Sequence, residues 1–336
     1  MKVAFLTTRM DKPSGRYRFL QYVPYLEKEG LSVESFTIPK GILRRRKLFS
    51  SLKRFDVVFL QKRLFGYIDW HSLRSHAKYL VYDFDDAVVF NDSNKGASRS
   101  AVRSKRFART IFGSDMIIAG NAYLESLATA IADEVVVIPT PVDSDRYVVG
   151  DRVEEKDKGL VVIGWIGSRA TVGYLEPYRG ILGELYRRYP DIKFKVVSDE
   201  FPDWPESESW LIKKRWRYDE EVADIQSFDI GIMPLVDDEW TRGKCAFKLL
   251  QYMSSGISAV ASPVGVNTEV IDEGVNGLLA VNESEWLDAI SKLIEDAGLR
   301  KGLGKEARKT IEERYSLSVN APKLLNVLKA NIGRKV

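Results

Sequence analysis

The chain has 336 residues, of which 45% are hydrophobic and 29% charged, a composition typical of a globular protein with enough chain for about two domains. The only cysteine is Cys245, which excludes an internal disulfide framework. The only histidines are His71 and His76, so a metal centre rich in cysteine or histidine is not expected. No apolar run approaches the ~20 residues that span a bilayer, and the N-terminus lacks the layout of a signal peptide, so we expect a cytoplasmic protein.

The first half of the chain alternates short apolar runs with helical patterns, which predicts a doubly wound α/β domain. We predict strands at 2–7, 31–38, 56–61, 78–89, 114–119 and 134–138. The loop at 11–15 leads from the first strand into a helix. Just beyond this loop, Arg16 and Arg18 are candidates for contact with a phosphate, and a place on the helix surface is the alternative.

A basic stretch separates the second and third predicted strands. Residues 40–55 contain seven cations and no acid, interleaved with apolar side chains. Three interpretations stay open: a helix on an anionic membrane surface, a patch for another polyanion, or a solvated helix whose apolar side packs in the core. We expect no nucleic-acid partner, because no recognisable nucleic-acid motif accompanies the patch.

Polar side chains follow two of these strands. Asp85 and Asp86 end the predicted strand at 78–89, and Asn121 follows a glycine turn after the strand at 114–119. Ligands bind at the carboxyl ends of strands in open α/β sheets, so Asn121 is a candidate ligand contact. The aspartates lack a second ligand cluster, and we therefore predict no metal site there. The alternative for Asp85 is a loop-stabilising carboxylate.

The charged stretch at 151–158 predicts a linker between an N-terminal domain at 1–150 and a C-terminal domain at 151–315. The second half repeats the rhythm, with strands at 159–166, 194–197, 229–235 and 257–261 and a final helix within 315–332. Trp204, Trp210 and Trp216 lie close together in the sequence. For these aromatic residues we favour core and loop packing over stacking on a base.

The stretch at 242–280 has the organisation of a binding site. Phe247, Leu250 and Met253 have helical spacing, Gly256 ends that helix, and 257–261 is a buried parallel strand. The following turn at 262–267 contains Gly265, which lets backbone N–H groups approach a ligand. Such groups suit a phosphate or sugar hydroxyls.

This stretch resembles the donor-binding segment of GT-B glycosyltransferases of the family 4 type, glycosyl transferases group 1. The family pattern has a first glutamate, a second glutamate on a helix before Met-Ala-x-Gly, a strand, then Gly-Gly-x-x-Glu and Asp-Gly-x-x-Gly. Here 250–256 is Leu-Gln-Tyr-Met-Ser-Ser-Gly, 265–269 is Gly-Val-Asn-Thr-Glu, and 272–277 is Asp-Glu-Gly-Val-Asn-Gly. The resemblance implies two facing Rossmann-like domains with a cleft between them, the helix at about 316–336 joining the first.

Two departures from the family pattern bear on the chemistry. Gln251 stands where the second glutamate holds the ribose, and an amide still donates and accepts hydrogen bonds. Gly243 stands where the first glutamate is associated with the donor sugar. Around this gap, Arg242, Lys244 and Lys248 are candidates to neutralise a leaving diphosphate without a metal, and a solvated basic loop is the alternative.

The resemblance implies the remaining roles, with Arg16 and Asn121 on the side of the sugar acceptor. Asp85 occupies about the place of a family histidine that faces the donor sugar, and Gly15 belongs to a loop that resembles the family's Gly-Gly loop near the reacting groups. The loop after the strand at 159–166 would receive the diphosphate through Ser168, Arg169 and Thr171. The sugar would contact the turn and the short helix after it, through Gly265, Val266, Asn267 and Glu269.

The sequence therefore predicts a cofactor-free, metal-independent hexosyltransferase with Asp85, Lys244 and Lys248 as catalytic residues. It would move a sugar from a nucleoside-diphosphate donor to a glycan or lipid-linked acceptor in polysaccharide biosynthesis, peripherally at the inner membrane face. Retention of anomeric configuration is implied by the family alone. The alternatives are a non-catalytic nucleotide-sugar-binding scaffold subunit and a GT-B-like nucleotide-sugar epimerase.

Overall fold

The computed structural model describes residues 1–92, 99–150 and 160–330. The chain forms two compact units. Unit 1 comprises Met1–Pro141, Asp238–Cys245 and Leu317–Val336, and unit 2 comprises Val142–Asp237 and Ala246–Ser316. The predicted linker at 151–158 lies outside the described residues, so the predicted boundary stays a proposal.

Unit 1 contains a six-stranded parallel sheet with the order β2-β1-β3-β4-β5-β6. The strands β3, β4 and β5 are buried along their whole length, as expected for a parallel sheet covered on both faces. Their bounds are β1 Lys2–Thr7, β2 Ser32–Thr37, β3 Val57–Gln61, β4 Leu80–Phe84, β5 Met116–Ala119 and β6 Val135–Val137. The predicted strand at 78–89 is too long, because the chain turns after Phe84.

Helices cover both faces of this sheet. On one face, Val3 and Phe5 of β1 share a core with Tyr22 and with Leu324 and Leu328 of the last helix. On the other face, Ala4 and Leu6 share a core with side chains of four helices that follow β2, β3, β4 and β5. The helices of unit 1 are α1 Pro13–Arg18, α2 Val23–Lys28, α3 Ile42–Ser51, α4 Tyr67–Arg74, α5 Ala101–Gly113, α6 Ala122–Thr129 and α13 Leu317–Ala330.

Unit 2 contains a second six-stranded parallel sheet, with the order β12-β11-β10-β7-β8-β9. Its strands are β7 Val161–Ile166, β8 Ile192–Ser198, β9 Leu211–Arg215, β10 Ile230–Met233, β11 Ser258–Ala261 and β12 Leu278–Leu279. Its helices are α7 Arg179–Arg188, α8 Glu221–Gln226, α9 Phe247–Ser254, α10 Asn267–Val270, α11 Glu283–Glu295 and α12 Ala297–Thr310. A π-helical turn at Ile311–Tyr315 ends α12.

The core of unit 2 explains the tryptophan-rich stretch. Trp204 and Trp210 are buried, their rings lie 6.1 Å apart, and both pack with Phe194 of β8. Trp216 is partly covered and donates a hydrogen bond to Glu221 over 2.7 Å. The packing interpretation of these residues is therefore confirmed.

Each sheet has one place where the strand order reverses. In unit 1 the chain winds outward in opposite directions from β1 and β3, and in unit 2 from β7 and β10. Ligands of open α/β sheets bind outside the carboxyl ends of the strands at such topological switch points. The predicted doubly wound α/β class is confirmed for both units.

Candidate functional site

A cluster of two carboxylates and two ammonium groups lies at the carboxyl edge of the sheet in unit 1. Asp85 and Asp86 follow β4, and Lys62 follows β3. The Nζ of Lys62 lies 3.4 Å from Asp85 Oδ1 and donates directly to Asp86. The Nζ of Lys244 lies 3.3 Å from the other oxygen of Asp86. The structure thus places two predicted catalytic residues, Asp85 and Lys244, beside a lysine that the sequence analysis missed.

Electrostatic interactions keep Asp86 and Lys62 of this cluster ionised. Burial alone would raise the pKa of Asp86, but the ammonium groups of Lys244 and Lys62 outweigh it and lower the pKa to about 2. For Lys62, burial opposes the charged form, yet the carboxylates of Asp85 and Asp86 raise its pKa above the ordinary value. Lys244 also lies over the Trp240 ring, with its Nζ 4.7 Å from the centroid. Asp86 and Lys62 are therefore both charged at neutral pH.

The side chains of Cys245 and Asn121 make hydrogen bonds to the backbone at the same carboxyl edge of the sheet in unit 1. The Sγ of Cys245 donates to the backbone oxygen of Asp85 over 3.3 Å, and burial raises the pKa of its thiol to about 12. Asn121 accepts a hydrogen bond from Leu124 N at 2.8 Å and donates to the backbone oxygen of Lys244 at 3.2 Å. Since the Asn121 side chain is buried and bonded at both ends, it holds the segment that carries Lys244.

Gly243 has no room for a side chain. A Cβ built there would lie 2.6 Å from the Cβ of Ala87 and 2.7 Å from its backbone nitrogen. Thr241–Gly243 form one 3-10 turn, and Arg242 of this turn is exposed. The packing of this segment on the residues after β4 therefore leaves no space at position 243 for the first glutamate of the family pattern.

The arginines after the first loop have different surroundings. Arg18 is buried, donates to both oxygens of Asp83, and donates to the backbone oxygen of Ile138 over 2.6 Å. The expected phosphate contact is therefore wrong for Arg18, because its guanidinium is used inside the unit. Arg16 is half-buried, 5.5 Å from the Tyr17 ring centroid. Gly15 packs under Arg9, whose backbone oxygen would lie 2.7 Å from an added Cβ.

In unit 2, the loop after β7 is closed by its own hydroxyl group. The Oγ1 of Thr171 accepts from Ser168 N at 3.1 Å and donates to Ser168 O at 3.2 Å. Arg169 N donates to Asp199 Oδ1 at 2.6 Å, and the exposed Arg169 side chain pairs with Glu200 at 2.5 Å. The hydroxyl of Thr171 therefore shapes the loop, and the Arg169 guanidinium lies at its surface.

A tyrosine hydroxyl bridges the two strands at the switch point of unit 2. The hydroxyl of Tyr252 accepts from Ile166 N at 3.0 Å and approaches Ile232 O at 3.4 Å, so it bridges the ends of β7 and β10. Lys248, one turn earlier on α9, lies over the buried ring of Trp165 with its Nζ 5.5 Å from the centroid. Because Trp165 lies near the carboxyl end of β7, this contact places the Lys248 ammonium group near that end of the strand.

The turn after β11 presents backbone N–H groups. Gly265 has a positive φ of 54°, a conformation that glycine adopts without steric cost. Asn267 donates to Ser262 O over 2.9 Å and fixes the turn. Within the described part of the chain, no hydrogen bond uses the N–H groups of Gly265 or Val266. Glu269 lies on α10 with its side chain exposed.

Gln251 belongs to a buried hydrogen-bond chain. Its Nε2 donates to the hydroxyl of Tyr147 over 2.8 Å, and that hydroxyl donates to Glu221. The amide nitrogen is therefore used internally, which leaves the amide oxygen for a ligand.

The predicted site residues thus fall into two groups, one in each unit. Unit 1 holds Gly15, Arg16, Asp85, Asn121, Arg242 and Lys244, and unit 2 holds Ser168, Arg169, Thr171, Lys248, Gln251, Gly265, Val266, Asn267 and Glu269. Among residues 1–92, 99–150 and 160–330, no group of three histidine, cysteine or acidic side chains is placed to hold a metal. None of the helices described in the structure is long and apolar enough to cross a membrane.

Comparison with known proteins finds similarity to glycosyltransferases. Residues 181–296 match glycosyl transferases group 1. An uncharacterized glycosyltransferase of Methanocaldococcus jannaschii is 34% identical over 101 residues, which are 30% of this chain and 25% of that protein. The D-inositol 3-phosphate glycosyltransferase of Actinosynnema mirum is 25% identical over 325 residues, with 84% of this chain and 74% of that protein covered.

The fold has solved counterparts among GT-B glycosyltransferases. HepE of Anabaena, solved in complex with UDP-glucose, superposes with a TM-score of 0.71 at 17% identity and covers 98% of this chain and 100% of its own. The chain spans about a quarter of the length of the archaeal relative. The segment 181–296 thus resembles glycosyl transferases group 1, the curated relatives are glycosyltransferases, and the fold is that of HepE.

Proposed function

We propose that the protein transfers a sugar from a nucleoside-diphosphate donor, bound at the switch point of unit 2, to a glycan or lipid-linked acceptor. One observation carries this proposal. Four polar groups lie after or beside strands at the carboxyl edge of the sheet in unit 2. They are the N–H groups of Gly265 and Val266, the Ser168 hydroxyl and the Lys248 ammonium group. Backbone N–H groups and a fixed cation are the groups that bind phosphates in such crevices.

The donor would use these groups in order along its length. Lys248 and Arg169 would pair with the diphosphate, the Gln251 oxygen would accept from the ribose, and the turn from Gly265 to Glu269 would contact the sugar. HepE was solved with UDP-glucose, which makes uridine nucleotides the first donors to test.

Catalysis would depend on the charges of unit 1. Asp85 would orient a sugar hydroxyl or stabilise positive charge at the anomeric carbon, and Lys244 would neutralise the diphosphate as its bond to that carbon breaks. Asp86 and Lys62 would hold both groups through the ion pairs described above. This chemistry needs no metal, because fixed ammonium groups supply the positive charge. Retention of configuration is part of the proposal through the family resemblance.

A membrane-associated acceptor is supported by three neighbouring helices of unit 1, which we call the basic face (α3, α4 and α5). The helices α3 and α5 carry eight cations and no acid. Leu43 on α3 and Phe112 on α5 are 75% and 81% exposed, and Tyr67 and Ile68 on α4 are exposed beside them. Exposed apolar side chains among cations suit an anionic bilayer surface, so we propose peripheral association with an inner membrane face.

The basic face is tested by vesicle sedimentation. Leu43→Ser/Phe112→Ser should weaken binding to vesicles of phosphatidylcholine and phosphatidylglycerol by about tenfold, since two apolar anchors are lost. The control, Val275→Ser/Val281→Ser, removes two exposed valines of unit 2. The proposed surface would be contradicted if the wild type did not bind the vesicles, or if it bound equally well with and without phosphatidylglycerol.

A second function is favoured by one observation. Because Gly243 leaves no space for the family's first glutamate, a subunit that binds nucleotide sugars without transferring them is the alternative. Such a subunit would bind the donor normally and leave it intact with every acceptor.

Two measurements separate these functions. Thermal unfolding with UDP, GDP, ADP, CMP and their sugar conjugates should show a selective rise in Tm, because a ligand of the folded state stabilises it by mass action. The selected donor is then incubated with lipid-linked and soluble glycans, and release of nucleotide diphosphate is followed. Release that requires an acceptor supports the transferase, and release of an epimer without an acceptor would replace it by an epimerase. Binding without release supports the scaffold, and no shift with any nucleotide contradicts both.

A further inference from the structure

The switch point of unit 1 contains a cavity of about 280 Å³. Its lining comes from the residues that follow β1 and β3, the two strands at which the winding direction reverses. We call this cavity the switch-point pocket. Its position is the one at which open α/β sheets bind ligands, and its size suits a small polar group.

The floor of the switch-point pocket is rigid. The Oγ1 of Thr7 donates to Gln61 Oε1 over 2.8 Å, and Gln61 Nε2 donates to the backbone oxygen of Ser14 over 2.5 Å. Thr7 and Gln61 are both buried, so these bonds fix the loop at 11–15 against the ends of β1 and β3. A ligand would therefore meet a preformed shape.

The rim of the pocket is positively charged. Arg9, Lys12, Lys62 and Arg63 line it, and none of the described residues that line it is acidic. Lys62 is neutralised by the aspartates after β4, and Arg9 by Asp11 at the surface. Lys12 makes no ion pair or hydrogen bond through its side chain within the described residues. The excess charge is therefore carried by Lys12 and Arg63.

Arg63 also connects the pocket with the basic face. Burial and then the positive charges of Arg45 on α3 and Arg106 on α5 lower its pKa from the ordinary value. The positive charges of Arg45 and Arg106 repel that of Arg63. Asp69 favours the charged form of Arg63, but its effect on the pKa is the smallest of the four. An anion at this place would relieve the repulsion, which gives a physical reason for binding.

We propose that the switch-point pocket binds a phosphate ester group of the acceptor, held by Lys12 and Arg63. The inference rests on the proposed transfer function, and it adds the chemical class of the acceptor. The phosphate could belong to a soluble sugar phosphate or to a lipid headgroup, and a lipid source would join the pocket to the basic face. We assign the pocket to the acceptor because the groups proposed to hold the donor's ribose and sugar belong to unit 2.

The test is a calorimetric titration with glycerol 3-phosphate, a minimal phosphate monoester. The double variant Lys12→Ala/Arg63→Ala should weaken its binding by at least about tenfold, because two charge-assisted contacts are lost. The control Lys28→Ala/Lys53→Ala removes two exposed lysines of unit 1 and the same net charge. It should change the affinity less than about twofold, since surface charges away from a site contribute little.

Two further arms identify the source of the phosphate and separate this inference from the transfer function. Vesicles of phosphatidylcholine with phosphatidic acid are compared with vesicles containing phosphatidylserine. A preference for phosphatidic acid that the double variant abolishes assigns the pocket to a lipid, and a response to glycerol 3-phosphate alone assigns it to a soluble acceptor. Nucleotide binding is measured in the same samples. Normal nucleotide binding with no response to either phosphate, or with equal responses in both double variants, would overturn the pocket and leave the transferase intact.

Discussion

The packing of Gly243 against Ala87 predicts that even one methyl group there is destabilising. In Gly243→Ala the new Cβ would lie 2.6 Å and 2.7 Å from atoms of Ala87, well inside normal contact distance. Overpacking of this kind costs about 1–3 kcal/mol. Alanine also restricts the unfolded chain, which offsets roughly 0.4–1 kcal/mol of this cost. We expect a net loss of about 1–2 kcal/mol in the free energy of unfolding.

The assay is equilibrium unfolding in urea, with Gly302→Ala as the matched control. Gly302 lies in α12 with open space around its Cβ position, so alanine should stabilise the helix there by up to about 1 kcal/mol. The two alanine variants should therefore change stability in opposite directions. Gly243→Glu, which restores the family residue, should be less stable still and should gain no transfer activity. A Gly243→Glu protein with wild-type stability and faster transfer would refute the packing argument.

Three further predictions concern buried groups. Because the pKa of Asp86 is lowered from 3.8 to about 2, its ionised form contributes about 2 kcal/mol of stability above pH ~4, which is lost as the pH falls towards 2; Asp86→Asn should flatten this part of the stability profile. Tyr252→Phe should cost about 1–3 kcal/mol in urea unfolding, because Ile166 N–H loses its buried acceptor, whereas Tyr82→Phe removes a hydroxyl with no hydrogen bond in the described residues and should cost less. Cys245 is partly buried and its thiol pKa is raised to about 12, so it should react with a disulfide reagent at pH 8 at least about tenfold more slowly in the native protein than in urea, and equal rates would contradict the raised pKa.

The sequence predicted the strands of both sheets where the apolar runs were continuous. The strands β1 and β11 have such runs, and their positions agree with the structure to within one residue. The strand β9 was not predicted, because its sequence Leu-Ile-Lys-Lys-Arg at the sheet edge is mostly solvent-exposed and lacks a long apolar run. Edge strands are held by pairing with one neighbour, here β8, and such pairing leaves little trace in local composition.

The candidate site was predictable where a motif carried it and not where tertiary contacts built it. The turn at Gly265 and the helix with Lys248 follow a family pattern, so both were named from the sequence. Lys62 was missed because nothing in the residues around it indicates that its ammonium would meet Asp85 and Asp86 across two strands. The buried pair of Arg18 and Asp83 was missed for the same reason.

The proposed transfer requires that unit 2 bind the diphosphate of a nucleotide-sugar donor at its switch point. The most direct measurement is calorimetric titration of the nucleotide that the thermal survey selects, starting with UDP, against Lys248→Ala and Lys213→Ala. Lys213 is an exposed lysine of edge strand β9, so the two variants carry the same net charge. We predict that Kd rises by about tenfold for Lys248→Ala and stays unchanged for Lys213→Ala. Equal affinities in the two variants would contradict the claim.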